Sequence, residues 1–320
     1  MPKVSVIVPV FGVEKYIERC ARSLFEQTLD DMEFIFVDDC TPDCSIEILK
    51  DVLSSYPKRQ VQTRIYRMPC NSGLHNVRKE GIKYATGDYI AHCDSDDWVE
   101  KDMYLSMYQY AVSNDFDLVK CQYYTSNEKG HRPVELHIGN KSKIEIVKEL
   151  LSVKGWNCIW DKLAKRELYT QQEILYPVTP MWEDFVLSTQ LLLRSQKFGV
   201  LNECFYYYYV NPNSICTTKS DNADLRRCLD AIKNMDIIIP LIQNAYPNES
   251  FEKELVLLKY EAKRKIIPMM ESYRNYHYWT SIYPEIDKPL LCGRILKGGL
   301  YRQYMLVALR LYPIYKKLKK

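Results

Sequence analysis

The sequence predicts an α/β protein, a doubly wound sheet followed by a helical C-terminal region, and three observations carry that expectation. Short apolar runs alternate with helical runs of roughly 10–15 residues from Val4 to Tyr123, the pattern of strands joined by crossover helices. Polar or turn-rich clusters sit at the ends of the apolar runs. From about Asn222 the composition shifts to long amphipathic helical runs.

Val4 to Val10 is near-continuously apolar, as expected of a strand buried on both faces of a parallel sheet. Glu14 to Gln27 carries apolar pairs at helical spacing: Tyr16-Ile17, Cys20-Ala21 and Leu24-Phe25. Phe34 to Val37 is a second strand ending in Asp38-Asp39, and Thr41-Pro42-Asp43 is turn chemistry that also caps a helix. That helix has apolar positions Ile46, Ile48-Leu49 and Val52-Leu53. Val61 to Met68 is a third, more polar strand; Asn71-Ser72-Gly73 opens a helix through Ala85; Tyr89 to Cys93 is the fourth strand. A helix over Lys101 to Val112 and a strand over Asp117 to Tyr123 follow. Right-handed crossovers bring the strand C-termini to one edge, where ligands collect in open α/β sheets.

Beyond Tyr123 the alternation lapses. Residues 124–141 are a polar loop or hairpin, and Ser142 caps an amphipathic helix to Val153. Trp156 to Ala164 is expected as a strand, with a helix starting near Arg166. Met181-Trp182-Glu183-Asp184-Phe185 leads into the helical run Val186 to Leu193. Phe198 to Val210 is extended, with tyrosines at 206–209, and ends in the turn Asn211-Pro212-Asn213-Ser214. Asp224 to Gln243 and Phe251 to Tyr273 are amphipathic helices. The expected division is therefore 1–219 and 220–320.

Hydrophobic content of 47% and charged content of 27% are those of a globular chain with a sizeable core. A net charge of +3 argues against a dedicated nucleic-acid binder. The 11 cysteines are scattered without a C-x-x-C pair, which suits a reducing cytoplasm. The first strand begins almost at once, so no signal peptide is expected, and no run approaches the roughly 20 apolar residues of a membrane span. Neither G-x-G-x-x-G nor G-x-x-x-x-G-K-[ST] follows the first strand, which argues against a dinucleotide fold or a P-loop. Residues 291–320 hold eight Lys or Arg and no Asp or Glu, interleaved with Leu, Ile, Tyr and Met. They fit a basic helix packed on the domain or an interfacial helix on anionic lipid, and the charge asymmetry favours the lipid. That places the chain on the inner face of the cell membrane.

Asp94-Ser95-Asp96-Asp97 follows the fourth strand directly. A helix N-terminus favours one Asp. Three in four residues at a strand end point instead to a hard divalent metal.

The order of motifs resembles the inverting family 2 glycosyltransferases of GT-A fold over roughly residues 3–215. The resemblance rests on Val4-Ser5-Val6-Ile7-Val8-Pro9-Val10-Phe11, Val37-Asp38-Asp39 with Thr41-Pro42-Asp43, Asn71 to Arg78, Asp94 to Asp96, and Trp182-Glu183-Asp184. It implies a mixed sheet of the nucleotide-diphospho-sugar transferase type, with a nucleotide-sugar half over about 1–123 and an acceptor half over about 124–219. It further implies that Pro9, Phe11 and Asp39 hold the base, with Asn71, Gly73 and Arg78 also on the donor. Arg78 would approach the ribose or diphosphate, its alternative being a surface helix charge. Asp96 would bind Mn²⁺ or Mg²⁺, Asp94 would touch the ribose or the metal and its water, and Asp97 would cap the following helix. Asp184 would be the base, with Trp182 and Glu183 at the acceptor site. Gly12, Lys79 and His92-Cys93 depart from the usual pattern.

The implied reaction moves a sugar from a nucleotide-sugar, UDP being favoured because a uracil imide N–H suits Asp39, to a hydroxyl of a lipid-linked glycan in surface or exopolysaccharide synthesis. Its rivals are a nucleotidyltransferase on a related sheet and a non-catalytic glycan-assembly subunit. Trp156 and Trp160 are expected in the core, Asn213-Ser214 is a candidate to close over the donor, and the five histidines show no metal-ligand spacing.

Overall fold

Seven consecutive buried residues make β1 (Val4–Val10) the middle of the parallel part of the sheet. The computed structural model describes residues 1–135, 141–153, 155–171, 173–211, 220–292 and 295–319; the Asn213-Ser214 turn lies outside them. The chain divides into two compact units, Met1–Lys141 with Asn157–Asn211, and Ser142–Trp156 with Pro212–Lys320. Composition alone drew one boundary near 219, whereas here residues 142–156 group with the C-terminal helices.

In the first unit β1 is followed by α1 (Ile17–Phe25), β2 (Met32–Asp38), α2 (Ser45–Ser54), the single turn α3 (Pro57–Gln60), β3 (Thr63–Arg67), α4 (Leu74–Tyr84) and β4 (Tyr89–His92). The short β5 (Trp98–Val99), α5 (Met103–Asn114), β6 (Leu118–Asn127) and β7 (Gly130–Val134) come next. After α6 (Lys143–Leu151), which belongs to the other unit, come β8 (Lys162–Lys165), the single turn α7 (Glu167–Thr170), α8 (Glu183–Arg194) and β9 (Phe198–Tyr209).

The sheet order is β3-β2-β1-β4-β8-β6-β9-β5, with β7 on β6. Strands β3, β2, β1 and β4 are parallel, so their C-termini share one edge. Strand β8 is antiparallel to both β4 and β6, β9 is parallel to β6, and β5 is antiparallel to β9. The sheet is mixed. Helix α4 lies close on β1 because Gly81 has no Cβ; one there would come within 2.4 Å of Ile7 Cγ2. The polar stretch after Tyr123 forms the β6–β7 hairpin.

Two elements are shorter than periodicity predicts. The expected strand from Trp156 is confined to Lys162–Lys165, because the backbone turns at Trp160-Asp161 and Lys162 N donates to the Ile159 carbonyl. The helix expected over Phe251 to Tyr273 ends at Lys263 and continues as 3₁₀ turns over Arg264–Glu271, where Pro268 lacks an N–H.

The second unit is helical: α6, α9 (Asp221–Ala245), α10 (Glu252–Lys263), α11 (Tyr276–Ser281), α12 (Asp287–Cys292), α13 (Gly298–Ala308) and α14 (Tyr312–Lys319). A capping box of Ser142 and Glu145 starts α6, and Ser220 Oγ accepts from Ala223 N at the start of α9. Its core gathers Tyr260, Ile266, Met270 and Trp279 with Tyr304, Val307 and Tyr312 of the basic tail. Among the described residues no helix is long and apolar enough to cross a membrane.

Candidate active site

Strand β4 delivers Asp94, Ser95, Asp96 and Asp97 to the edge shared by the parallel strand ends. The four residues are held from several sides. Asp94 N donates to Tyr206 Oη (3.0 Å), and the same hydroxyl donates to Asp97 Oδ2 (2.7 Å). Tyr209 N donates to Asp97 Oδ1 (2.7 Å), so Asp97 ties the loop to β9. This overturns the expected helix cap: α5 is preceded by Asp102, and Asp97 is buried and occupied by β9. Burial, then Asp96 and Asp94, pushes the Asp97 carboxyl well above the usual carboxylate range.

Asp96 keeps part of its surface. Its Oδ2 accepts from Asn211 Nδ2 (3.0 Å), and its carbonyl accepts from Arg19 Nη2 (2.8 Å). Burial and then Asp94 raise its pKa. A partly buried carboxylate whose ionisation is opposed by a second one nearby suits a divalent cation beside it. Among the described residues no set of three His, Cys, Asp or Glu side chains could hold a metal, so other ligands would have to come from phosphate and water.

At the end of β1, Pro9 is buried within the strand whereas Phe11 is 46% exposed, so only the aromatic ring offers a free face. Gly12 has φ +67, a left-handed conformation that glycine adopts freely and asparagine tolerates best among side-chain-bearing residues. The departure at position 12 is thus conformationally neutral. Asp39 is buried, its Oδ1 accepting from Ser72 N (2.7 Å) and its Oδ2 from Gly73 N (2.9 Å). Each oxygen has a second lone pair for a ligand N–H. The paired N–H groups set the start of α4 at Gly73 (φ +84), and Asn71 just ahead is exposed.

Helix α4 then carries Arg78 inward. It is 1% exposed, which excludes the surface-charge alternative. Its Nη2 donates to Asp94 Oδ1 (2.7 Å) and its Nε to Glu183 Oε1 (2.8 Å). Burial opposes its charge, but Glu183 and then Asp94 hold it above the ordinary arginine range. One buried guanidinium therefore joins the acidic loop after β4 to the first turn of α8. Burial and Arg78 also hold His92 well below its usual pKa, hence neutral.

Helix α8 begins at Glu183, two carboxylates in its first turn favoured by the macrodipole. Trp182 precedes it at φ +66, an uncommon conformation for a bulky side chain, and packs edge-on to Phe185. Glu183, expected at the acceptor site, is buried against Arg78 and has no surface for an acceptor. Burial raises its pKa, Arg78 opposes, and Asp184 and Asp94 add to the rise. Asp184 is only partly covered. Desolvation pushes it up to about 6, with Arg78 opposing and Asp94 contributing.

Sequence reasoning missed a second cationic prop. Lys120 and Lys162, both buried, share Asp161 at 2.7 and 2.8 Å. Lys162 also donates to the Cys158 carbonyl, which accepts from Ser188 Oγ of α8 (2.7 Å). Lys162 adds a small opposition to the burial-driven rise in the Asp184 pKa. The signal was present as two lysines in otherwise apolar strand segments, Leu118–Cys121 and Lys162–Ala164. Trp160 stacks on Tyr206 and Tyr208 inside the core, and Trp156 is buried.

The family model for glycosyl transferase family 2 matches residues 5–169, about half of the chain. The chain belongs to that family. It is 35% identical over 222 residues to the uncharacterized glycosyltransferase EpsJ of Bacillus subtilis (strain 168), covering 67% of this chain and 63% of EpsJ. It is 31% identical over 225 residues to the glycosyltransferase GlyA of Streptococcus pneumoniae serotype 4, covering 67% and 31%. A poly(ribitol-phosphate) beta-glucosyltransferase of Bacillus spizizenii is 29% identical over 213 residues, covering 65% and 32%. This family 2 chain thus spans less than two thirds of the length of these relatives. In fold it is similar to S. aureus TarS residues 1–349 in complex with UDP (TM-score 0.65, 18% identity, 99% of this chain and 92% of that one). It is also similar to the Pyrobaculum calidifontis mannosyltransferase PcManGT in complex with GDP-Man and Mn²⁺ (TM-score 0.56, 15% identity, 99% and 87%). The sheet is therefore of GT-A type, followed by C-terminal helices.

Proposed function

We propose that this family 2 chain is an inverting glycosyltransferase that moves a sugar from a UDP-sugar to a hydroxyl of a lipid-linked glycan in surface or exopolysaccharide synthesis. The observation that carries the reading is Arg78 joining Asp94 to Glu183, which gathers the D-x-D loop and the start of α8 and leaves Asp184 partly open beside them. Support for a nucleotide-sugar comes from the ligands named for TarS, UDP and UDP-GlcNAc, and for PcManGT, GDP-Man. A polymer acceptor is supported by a relative named for poly(ribitol-phosphate) glucosylation.

On this reading Phe11 stacks on the base and Asp39 accepts its N–H, with Asn71 and Gly73 lining the same strand edge. Residues to about 123 serve the donor, and 124–219 shape the acceptor side. Asp96 with Asp94 would hold Mn²⁺ or Mg²⁺, and the raised pKa of Asp96, from burial and then Asp94, fits such an ion. The ion would supply Lewis-acid neutralisation of the departing diphosphate. Asp184 takes the proton of the attacking acceptor hydroxyl. Its raised pKa of about 6 leaves it ionised at neutral pH and a better base than an ordinary aspartate. Arg78 acts as a positioning residue, and Trp182 offers an aromatic face for the acceptor sugar. The basic tail would keep the chain at the inner membrane surface, beside a lipid carrier.

The test is a screen of UDP-, GDP- and dTDP-sugars with Mn²⁺, followed by the anomeric configuration of the product. Turnover of a UDP-sugar with inversion is expected. Retention of configuration, or pyrophosphate as the released product, would overturn the proposal.

A further inference from the structure

The basic tail is two things at once. Tyr304, Val307 and Tyr312 are buried in the helical core, so α13 and α14 are integral to the second unit. Yet the junction between those helices and one stripe of α14 leave large apolar side chains uncovered. Leu309 is 58% exposed, Leu311 44%, Ile314 50% and Leu318 83%. Ile314 and Leu318 are four residues apart in α14 and share one helical face, and Leu311 immediately precedes that helix. Lys317 and Lys319 are exposed beside Leu318, while Lys316 is answered by Glu271 at 3.1 Å. Arg310 (φ +58) lies over the Tyr276 ring, on which the exposed Tyr273 stacks.

Scattered exposed leucines need no explanation. Four within ten residues, bordered by exposed lysines and drawn from a thirty-residue stretch without Asp or Glu, do. We propose that Leu309, Leu311, Ile314 and Leu318 form the face that enters an anionic lipid surface, with Arg310, Lys317 and Lys319 on its headgroups. The charge is complementary to phosphate headgroups. Lysine stems cover apolar surface while their ammonium groups reach outward, and tyrosine suits the same interfacial depth. Lys316, already paired, is not part of it. The inference deepens the lipid-linked reading of the acceptor but stands on the second unit's own surface.

Deleting residues 291–320 cannot test this, because the deletion removes Tyr304, Val307 and Tyr312 from the core. Point variants in the full chain can. Sedimentation with vesicles of neutral phosphatidylcholine, and of phosphatidylcholine mixed with anionic phosphatidylglycerol, is measured without donor or acceptor. The expected result is binding to the anionic vesicles only, weakened by salt. Lys317→Gln with Lys319→Gln lowers the partition roughly fivefold for each lysine. Leu311→Ser, Ile314→Ser and Leu318→Ser together lower it at least about tenfold. Melting temperature and donor turnover stay unchanged in both variants, since these side chains are exposed. Equal binding to neutral vesicles, or variants that bind like the parent, would overturn the proposal. So would concentration-dependent self-association that the leucine variant abolishes, which would make the stripe a contact between copies. Lipid binding without any glycosyl transfer would leave this inference standing and remove the catalytic reading.

Discussion

The two acidic runs of the first unit are built on the same plan with different partners. In Asp94-Ser95-Asp96-Asp97 the buried carboxylate is Asp97, held by a tyrosine hydroxyl and a backbone N–H, while Asp96 keeps open surface. In Glu183-Asp184 the buried carboxylate is Glu183, held by a guanidinium, while Asp184 keeps open surface. In each run one acid is a buried anchor and its neighbour keeps open surface, the one to which the proposed function gives the chemistry. The anchors differ in kind: Asp97 relies on neutral donors, and Glu183 on a full positive charge that it shares with Asp94. Position in a motif therefore does not say which acid is free to meet a ligand; depth does.

Breaking the open members should cost activity, and breaking the anchors should cost stability. The largest of the following effects is expected for Asp96→Asn, which removes one of the two carboxylates proposed to hold the metal. Its kcat/KM should fall on the order of a thousandfold, about 4 kcal/mol, and titration calorimetry should show the Mn²⁺ dependence of donor binding weakened. Arg78→Met leaves Glu183 and Asp94 without their cation and should destabilise the fold by about 3–5 kcal/mol in urea unfolding. Adding Glu183→Gln should recover part of that loss, and purely additive effects would show that the pair is not coupled.

A pH profile sharpens the comparison. As the proposed base, Asp184 must be ionised to accept a proton, and it is pushed up to about 6. The kcat/KM of the parent enzyme should be flat above pH 7 and fall tenfold per unit below about pH 6. An acid limb near pH 4 would mean that the base is an ordinary surface carboxylate. The smallest effect is expected for Tyr206→Phe. It removes the hydroxyl shared by Asp94 N and Asp97, at about 1–3 kcal/mol of stability.

Much of this was legible in the chain itself. Alternating apolar runs reveal β1, β2, β4 and the helices between them, because a strand buried on both faces must be apolar throughout. The acidic runs are visible as clusters at strand and helix ends. What periodicity does not carry is depth. Arg78 lies 16 residues from Asp94 and 105 from Glu183, so its burial emerges only when the strands assemble. Four tyrosines in a row look interchangeable, yet the Tyr206 hydroxyl donates to Asp97 and the Tyr207 hydroxyl to Glu100. In the tail, amphipathic spacing was readable, but it did not reveal that one face lies in the core and another remains bare.

The most direct test pairs Asp184→Asn with Glu183→Gln, measuring single-turnover transfer and melting temperature on both proteins. Asp184→Asn should lose about 10³-fold or more of the transfer rate while keeping donor affinity and melting temperature. Glu183→Gln should lose melting temperature and retain much more of the rate. A fully active Asp184→Asn, or the reverse pattern between the two, would contradict the assignment of the open acid as the base.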